Sequence, residues 1–261
     1  MTRRFVVLGD PVEHSLSPLI HTAAYEALDL DATYGRRTVD RAGLEAAVDE
    51  VRSGALAGAN VTMPHKRLAA VLADRLDPVA QRLGVVNTLA HDRGAVVGHA
   101  TDGAGILHAW TVGGLPTDGA VLVLGAGGAA RAAIDVLSGR HEVWVSARRQ
   151  DAAELAVEVG AVGTIEWGVP LPGAVVVNAT PIGMAGDRLP DHVVESAGGL
   201  LEMVYAPMRT ASVASAEQEG LPIGRGIDML VGQAAASFAI WFGAEPPVLE
   251  MTEAAKRSST P

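Results

Sequence analysis

The run Ala120-Val121-Leu122-Val123-Leu124-Gly125-Ala126-Gly127-Gly128-Ala129-Ala130 decides the fold class of this chain. Five consecutive apolar residues are typical of a central parallel strand, which is buried on both faces. The glycines that follow permit a tight turn and let backbone N–H groups approach a pyrophosphate. The alanine-rich continuation to Leu137 predicts a helix whose N-terminus would point at that anion. The candidate cofactor contacts in this turn are Gly125, Ala126, Gly127, Gly128 and Ala129.

The end of the next strand bears on the choice of dinucleotide. An acidic residue there would bond the ribose 2′-hydroxyl of NAD. This chain has Ser146-Ala147-Arg148-Arg149 instead, with no acid and two guanidinium groups that suit a 2′-phosphate. We therefore expect NADP, with Ser146, Arg148 and Arg149 at its site. The structural alternative for the glycine motif is a tight strand-to-helix turn. For the two arginines it is a solvated, basic helix start.

The rest of the chain alternates short apolar runs with helical stretches, which is the order of an α/β fold. The stretch 112–119 is rich in Gly and Pro and is the best linker candidate. We expect strands at 5–8, 34–39, 58–61, 85–89, 95–98, 120–124, 142–146, 174–178 and 200–204, with a hairpin turn at 92–94. We expect helices at 18–28, 44–51, from 64, and at 129–137, 151–159, 226–242 and 247–256, followed by a loose tail at 258–261.

Composition narrows the class of protein. With 261 residues, 49% hydrophobic and 19% charged, the chain is globular and long enough for two modest domains. Its net charge of −10 argues against nucleic acid as a partner.

It has no cysteine, no histidine pair spaced as metal ligands, and no apolar run of about 18 residues that would span a membrane. The four-residue apolar run near the start is shorter than the roughly 7–15 residues of a signal-peptide core, so we expect a cytoplasmic protein. Monomer and homodimer both stay open.

A polar segment, Asn60-Val61-Thr62-Met63-Pro64-His65-Lys66, combines an amide, a hydroxyl, an imidazole and an ammonium. Such a mixture suits a site that grips a small polyhydroxylated molecule and moves a proton. Three more polar groups have no obvious structural need: the serines of Ser15-Leu16-Ser17, Asn87, and Asp102. For Ser17 and Asp102, capping of a helix is the alternative.

Lys66 and Asp102 together suit proton transfer at an alcohol carbon. Reduction of a carbonyl by a nicotinamide requires an acid that protonates the new alkoxide. A neighbouring carboxylate would favour the ammonium form of a lysine. We therefore expect Lys66 to be the proton donor in the reducing direction.

Taken in order, these motifs resemble the shikimate dehydrogenase family over nearly the whole chain. The resemblance rests on Gly9-Asp10-Pro11, His14 to Pro18, Asn60 to Lys66, Val86-Asn87-Thr88, Thr101 to Gly105, the turn at Gly125, Asn178 to Met184, Val204 to Pro207, and Gly226 with Met229 to Phe238. It implies an NADP-dependent reduction of 3-dehydroshikimate to shikimate in aromatic amino-acid biosynthesis.

The resemblance also implies the architecture and the roles of individual residues. An N-terminal α/β substrate domain (1–101 plus 237–261) and a Rossmann-type, doubly wound NADP-binding domain (102–236) would flank an active-site cleft. The catalytic pair would be Lys66 and Asp102. The residues around shikimate would be Ser15, Ser17, Thr62, Asn87, Asp102, Tyr205 and Gln233. Those near the nicotinamide would be Thr180 with its neighbours Asn178 and Ala179, Met203, Gly226 and Met229.

The chain departs from the family pattern at three places. Ala100 replaces an asparagine before Thr101-Asp102, Ser146-Ala147-Arg148 replaces Asn-Arg-Thr, and Glu202 replaces an aspartate. The alternatives that stay open are a quinate or aminoshikimate dehydrogenase and a regulatory dinucleotide-binding protein without catalysis. The last would be expected to lack Lys66 or Asp102, and this chain has both.

Overall fold

The structure is a computed structural model that describes residues 2–149 and 158–257. The chain divides into two compact units. The first unit comprises residues 1–101 and 233–261, and the second unit comprises residues 102–232. The boundary on the C-terminal side falls inside a single helix, Gly226–Phe242.

The described strands, in chain order, are β1 (Arg3–Gly9), β2 (Ala32–Thr38), β3 (Gly58–Val61), β4 (Arg75–Leu76), β5 (Thr88–Asp92), β6 (Ala95–His99), β7 (Ala120–Leu124), β8 (Glu142–Ser146), β9 (Gly163–Thr164), β10 (Val175–Asn178), β11 (Gly199–Glu202) and β12 (Ile223–Arg225). The described helices are α1 (Ser17–Ala27), α2 (Arg41–Ser53), α3 (Lys66–Leu72), α4 (Pro78–Leu83), α5 (Asp102–Val112), α6 (Gly128–Leu137), α7 (Asp191–Glu195), α8 (Ala211–Gln218), α9 (Gly226–Phe242) and α10 (Val248–Arg257).

The sheet of the first unit is mixed. Its strand order is β2-β1-β3-β5-β6-β4, and β5 runs antiparallel to both β3 and β6. The expected hairpin is confirmed: Asp92 pairs with Ala95, while Arg93 and Gly94 take left-handed φ values of 52° and 84°. Both turn residues need positive φ in the tightest hairpin turns, which explains a glycine at the second position.

The sheet of the second unit is entirely parallel, in the order β12-β11-β10-β7-β8-β9. Sequence order therefore reverses between the neighbours β7 and β10, at the centre of the sheet. This is the doubly wound Rossmann arrangement, in which ligands bind at the carboxyl ends of the strands beside the reversal. The fold class expected from the sequence is confirmed.

Aromatic side chains from distant parts of the chain form the core that holds α9 to the sheet of the first unit. The rings of Phe5 and Trp241 lie 4.6 Å apart, and those of Phe238 and Phe242 also lie 4.6 Å apart. Buried Trp241 donates its indole N–H to the carbonyl of Leu89 at 3.0 Å. Such aromatic pairs contribute roughly 0.5–1.5 kcal/mol beyond their buried area.

Several boundaries differ from the expectations. Helix α3 begins at Lys66 rather than Pro64, because the N–H of His65 bonds the carbonyl of Thr62 in a turn. Strand β11 ends at Glu202 rather than Val204, because the N–H of Val204 turns back to the Glu202 side chain. The helix expected at 151–159 falls mainly, and the tail at 258–261 entirely, outside the described residues.

Among residues 2–149 and 158–257, no helix combines the length and the apolar character needed to cross a bilayer.

Candidate active site

Two serines lie where the loop after β1 meets α1: Ser15 is in the loop, and Ser17 is the first residue of the helix. The Ser15 hydroxyl donates to the Ser17 hydroxyl at 3.2 Å and accepts the N–H of Ser17 at 3.3 Å. The residue at the cap position of α1 is Leu16, which offers no polar side chain to the helix. From β2, Arg36 donates two hydrogen bonds to the carbonyl of Ser15, at 2.9 and 2.6 Å. The pair of hydroxyls is thus held as a unit, and neither serves as the helix cap.

Backbone hydrogen bonds fix the polar segment from Asn60 to Lys66. The N–H of Thr62 bonds the carbonyl of Leu8 at 2.8 Å, and the carbonyl of Lys66 accepts the N–H of Val86 at 2.9 Å. Lys66 is the first residue of α3 and is half-buried. These contacts bring the predicted lysine and asparagine positions near each other, because Val86 immediately precedes Asn87.

His65 has a structural role. Its ring is buried, and Nε2 lies 2.7 Å from the carbonyl oxygen of Val39. This contact anchors the segment to the residue that follows β2. The imidazole therefore holds the segment in place, while its neighbour Lys66 stays the candidate for proton transfer.

Half-buried Asn60 lies at the centre of a cluster of buried polar side chains. Its amide nitrogen lies within 3.1 Å of three acceptors, and its amide oxygen accepts the Tyr34 hydroxyl at 2.6 Å. The three acceptors are the carbonyl of Asn87 and the hydroxyls of Thr88 and Ser237. Through these partners Asn60, on β3, joins β2, the start of β5 and α9.

Asn87 is brought together with two other predicted positions. Its amide oxygen accepts the N–H of Thr101, the residue before Asp102, at 2.7 Å. Its amide nitrogen faces the side-chain oxygen of Gln233 at 3.5 Å. Ser237, one turn along α9, donates to the carbonyl of Gln233 at 2.9 Å and contacts Thr88 at 2.8 Å. Ser237 was missed from the sequence, where its position reads as one more residue of an apolar helix.

Asp102 is the first residue of α5, and 2% of it is exposed. An acidic residue in the first turn of a helix is favoured by the helix dipole. Its burial sets it apart from an ordinary surface capping residue, since aspartate is almost never fully buried unless it has a partner.

The glycine turn of the second unit lies at the reversal point of the sheet. Gly125 has a φ of 109°, and an added Cβ would lie 2.9 Å from the carbonyl oxygen of Ala179, in the loop after β10. Gly127 precedes α6 at the cap position, offers no side-chain cap, and has open space where a Cβ would stand. The arrangement leaves the first N–H groups of α6 without a side-chain acceptor from the cap residue, which suits a pyrophosphate.

The residues predicted to bind the 2′-phosphate, at and after the end of β8, differ in their exposure to solvent. Ser146 is fully buried and donates its hydroxyl to the carbonyl of Glu166 at 3.3 Å, whereas Arg148 and Arg149 are exposed. Arg148 also lines a groove of about 430 Å³. The other residues lining the groove are Trp167, Ile182, Asp187, Arg188, Leu189 and Pro190. Arg188 was not predicted from the sequence, because it lies in a loop with no recognisable motif.

The residues expected near the nicotinamide gather at the ends of β10, β11 and β12. The N–H of Met203 bonds the carbonyl of Asn178 at 3.2 Å, and an added Cβ at Gly226 would lie 2.6 Å from the carbonyl oxygen of Met203. Thr180 donates its hydroxyl to the side chain of Asn178 at 2.7 Å. Met229 is buried in α9, and Tyr205 is half-buried after β11.

Family models of known proteins match two parts of the chain. Residues 7–89 match the family model of the shikimate dehydrogenase substrate binding domain, and residues 226–256 match that of the shikimate 5′-dehydrogenase C-terminal domain. The chain is 39% identical over 264 residues to the shikimate dehydrogenase (NADP(+)) of Thermus thermophilus, covering 98% of each chain. It is 40% identical over 277 residues to that of Citrifermentans bemidjiense, covering 98% of this chain and 95% of the relative.

A solved structure gives the same relationship in three dimensions. The crystal structure of shikimate 5-dehydrogenase from Thermus thermophilus, in complex with NADP(H) and shikimate, superposes with a TM-score of 0.89 and 39% identity. The match covers 98% of this chain and 100% of that one. On this full-length similarity of sequence and structure, the chain belongs to the shikimate dehydrogenase family.

Proposed function

We propose that the chain catalyses the reversible, NADPH-dependent reduction of 3-dehydroshikimate to shikimate, within aromatic amino-acid biosynthesis. The observation that carries this proposal is the full-length similarity to enzymes named shikimate dehydrogenase (NADP(+)), in a chain that keeps Lys66 and Asp102. When bound, NADPH supplies the hydride that reduces the carbonyl carbon. We propose a cytoplasmic protein that acts as a monomer or homodimer, which light scattering would distinguish.

The second unit fits the cofactor. We propose that the turn from Gly125 to Ala129 holds the pyrophosphate, because the missing side chain of Gly127 leaves open space before the N-terminus of α6. The proposed contacts on the nicotinamide side are Thr180, Met203, Gly226 and Met229. Those for the 2′-phosphate side are Ser146, Arg148 and Arg149. Because the Ser146 hydroxyl already donates to the carbonyl of Glu166, Ser146 would contribute through its backbone at the end of β8.

We propose that a set of hydroxyl and amide side chains binds the hydroxyl and carboxylate groups of the substrate. The hydrogen bonds within the first unit support this, because they hold Asn87 beside Gln233 and the hydroxyl of Ser15 beside that of Ser17. The proposed substrate-binding residues are Ser15, Ser17, Thr62, Asn87, Tyr205 and Gln233.

Lys66 is the proposed proton donor. The chain has 20 Lys and Arg residues together, and lysine occupies only positions 66 and 256. An arginine keeps its proton under all physiological conditions, whereas a lysine can give up a proton and recover it. In the reducing direction, the Lys66 ammonium would protonate the oxygen of the new alkoxide, and Asp102 is the second proposed catalytic residue.

An assay that crosses shikimate and quinate with NADP and NAD tests the proposed function. The absorbance of the reduced nicotinamide gives the rate in all four combinations. We expect the highest kcat/KM with shikimate and NADP. Faster turnover with quinate and NAD would overturn both the substrate and the cofactor assignments, and no turnover in any combination would favour a regulatory protein.

Variants of the two lysines test the proton donor. We expect Lys66→Ala to lower kcat by at least about 100-fold, the contribution of a general acid. Lys66→Arg should stay nearly as slow while binding shikimate better than Lys66→Ala, because a guanidinium keeps the positive charge but is too weak an acid to serve as the proton donor. The matched control is Lys256→Ala, an exposed position in the last turn of α10. Turnover of Lys66→Arg near that of the unmodified chain would contradict the role.

A further inference from the structure

Glu202, the last residue of β11, is a buried acid for which the proposed chemistry has no use. Only 1% of it is exposed. Burial raises the pKa of its carboxyl, and three hydrogen bonds to the carboxylate oppose that rise. None of the ion pairs among residues 2–149 and 158–257 includes it. The charged form is therefore held by neutral donors alone, at a cost in desolvation.

The three donors come from three different parts of the second unit. Oε1 accepts the side-chain amide of Asn178 at 2.8 Å and the N–H of Val204 at 3.0 Å. Oε2 accepts the hydroxyl of Thr210 at 3.0 Å. Both oxygens are used, so the carboxyl joins the end of β10, the loop after β11 and the start of α8.

Each side-chain donor organises a loop in turn. The Asn178 amide nitrogen also donates to the carbonyl of Ile182 at 2.9 Å, and its amide oxygen accepts the N–H and the hydroxyl of Thr180 at 3.1 and 2.7 Å. This closes the loop after β10 on itself. Thr210 caps α8 by accepting the N–H of Val213 at 3.2 Å.

The two loops also touch directly. Gly183, in the loop after β10, approaches the Thr210 side chain so closely that an added Cβ would lie 2.9 Å from Cγ2 of Thr210. In a doubly wound sheet, the carboxyl ends of β10 and β11 border the second half of a bound dinucleotide. Glu202 therefore sits beneath the two loops that would face the nicotinamide half of the cofactor.

A buried carboxylate without a cationic partner carries a desolvation cost, so stability alone is a weak reason for an acid at this position. We propose that Glu202 is a positioning residue for NADP, which locks the loops 178–184 and 203–210 into the conformation that binds the nicotinamide half of the dinucleotide. The inference rests on the proposed function and goes further by assigning a role to a residue that touches neither substrate nor cofactor.

Glu202→Gln tests the proposal with little change in shape. Glutamine can still accept from Asn178 and Val204, but its NH₂ group cannot accept the Thr210 hydroxyl, so the bond that Oε2 receives from that hydroxyl is lost. We expect the dissociation constant of NADP, measured by titration calorimetry, to rise at least about fivefold, the effect of losing one hydrogen bond to a charged group. The KM for shikimate should change less than about twofold. The matched control is Glu142→Gln, because Glu142 is an exposed residue at the N-terminal end of β8.

Variants of Thr210 provide a second test that does not alter Glu202. Thr210→Val removes the donor to Oε2 and should weaken NADP binding, whereas Thr210→Ser keeps the hydroxyl and should restore it to within about twofold of the unmodified chain. If Glu202→Gln lowers the melting temperature but binds NADP as tightly as the unmodified chain, the role is structural and the inference fails. An unmodified chain that does not bind NADP overturns the proposed function and the inference together.

Discussion

At the scale of single residues, burial of His21 contributes to the sensitivity of this protein to acid. Its ring is fully buried and stacked on that of Tyr34, with centroids 4.4 Å apart. Among the described residues, neither ring nitrogen has a hydrogen-bond partner. Burial lowers the pKa of His21 to about 3, although the nearby Asn60 side chain opposes the shift. The unfolded chain would bind a proton near pH 6.5 where the native chain does not, so stability should fall as the pH drops from about 6.5 toward 3.

Replacing His21 with phenylalanine should make the protein less sensitive to acid. Phe keeps a flat ring against Tyr34 and cannot be protonated. Below pH 6.5, the free energy of unfolding of the unmodified chain should fall relative to that of His21→Phe by up to about 1.4 kcal/mol per pH unit. Urea unfolding between pH 7 and pH 4 measures this difference. His192→Gln is the control, since the side chain of His192 is 85% exposed. Parallel profiles for the unmodified chain and His21→Phe would contradict the prediction.

At the scale of elements, the turn between β7 and α6 contains two glycines in different environments. Gly125 has positive φ and no room for a Cβ, whereas Gly127 has a φ of −78° and open space. We expect Gly125→Ala to lower the free energy of unfolding by about 1–3 kcal/mol, the usual cost of such backbone strain. Gly127→Ala should leave stability within about 0.5 kcal/mol and weaken NADP binding, because its methyl group would stand where the pyrophosphate approaches.

Melting temperature and NADP affinity of the two variants, measured side by side, decide this point. Gly139→Ala is a suitable control, because this glycine also has no atom near an added Cβ and lies at the other end of α6. Unchanged NADP affinity in Gly127→Ala would show that the turn is a structural feature alone.

The same turn illustrates which elements a sequence reveals. Strand β7 and the turn after it can be recognised from their own residues, five apolar ones followed by glycines. The sequences of the partner strands are not needed. Strands β4 and β9 have two residues each, too few for any periodicity, and were missed. The role of Asn60 was missed for another reason. Its partners Tyr34 and Ser237 lie 26 and 177 residues away in the chain, so only folding brings them together. Sequence patterns therefore suggested candidate site residues, but not the side chains that form hydrogen bonds with them.

For the whole molecule, the net charge of the chain and the charge of the cofactor have the same sign. The chain carries a net charge of −10, and NADP adds a 2′-phosphate to an already anionic dinucleotide. The overall field therefore disfavours NADP relative to NAD, and any preference for NADP must come from local cations such as Arg148. Such short-range pairing at an exposed site weakens as salt is added.

Melting curves with each dinucleotide test this balance on the intact chain. A ligand that binds only the native state at 100 times its dissociation constant stabilises that state by about 2.7 kcal/mol. At equal concentrations, NADP should raise the melting temperature more than NAD, and added salt should narrow the gap. Arg148→Ala should reduce the effect of NADP and leave that of NAD unchanged. Arg140→Ala is the control, an exposed arginine just after α6 in the same unit. Equal stabilisation by NADP and NAD, or an Arg148→Ala chain that still prefers NADP by the same margin, would mean that the 2′-phosphate is recognised elsewhere or not at all.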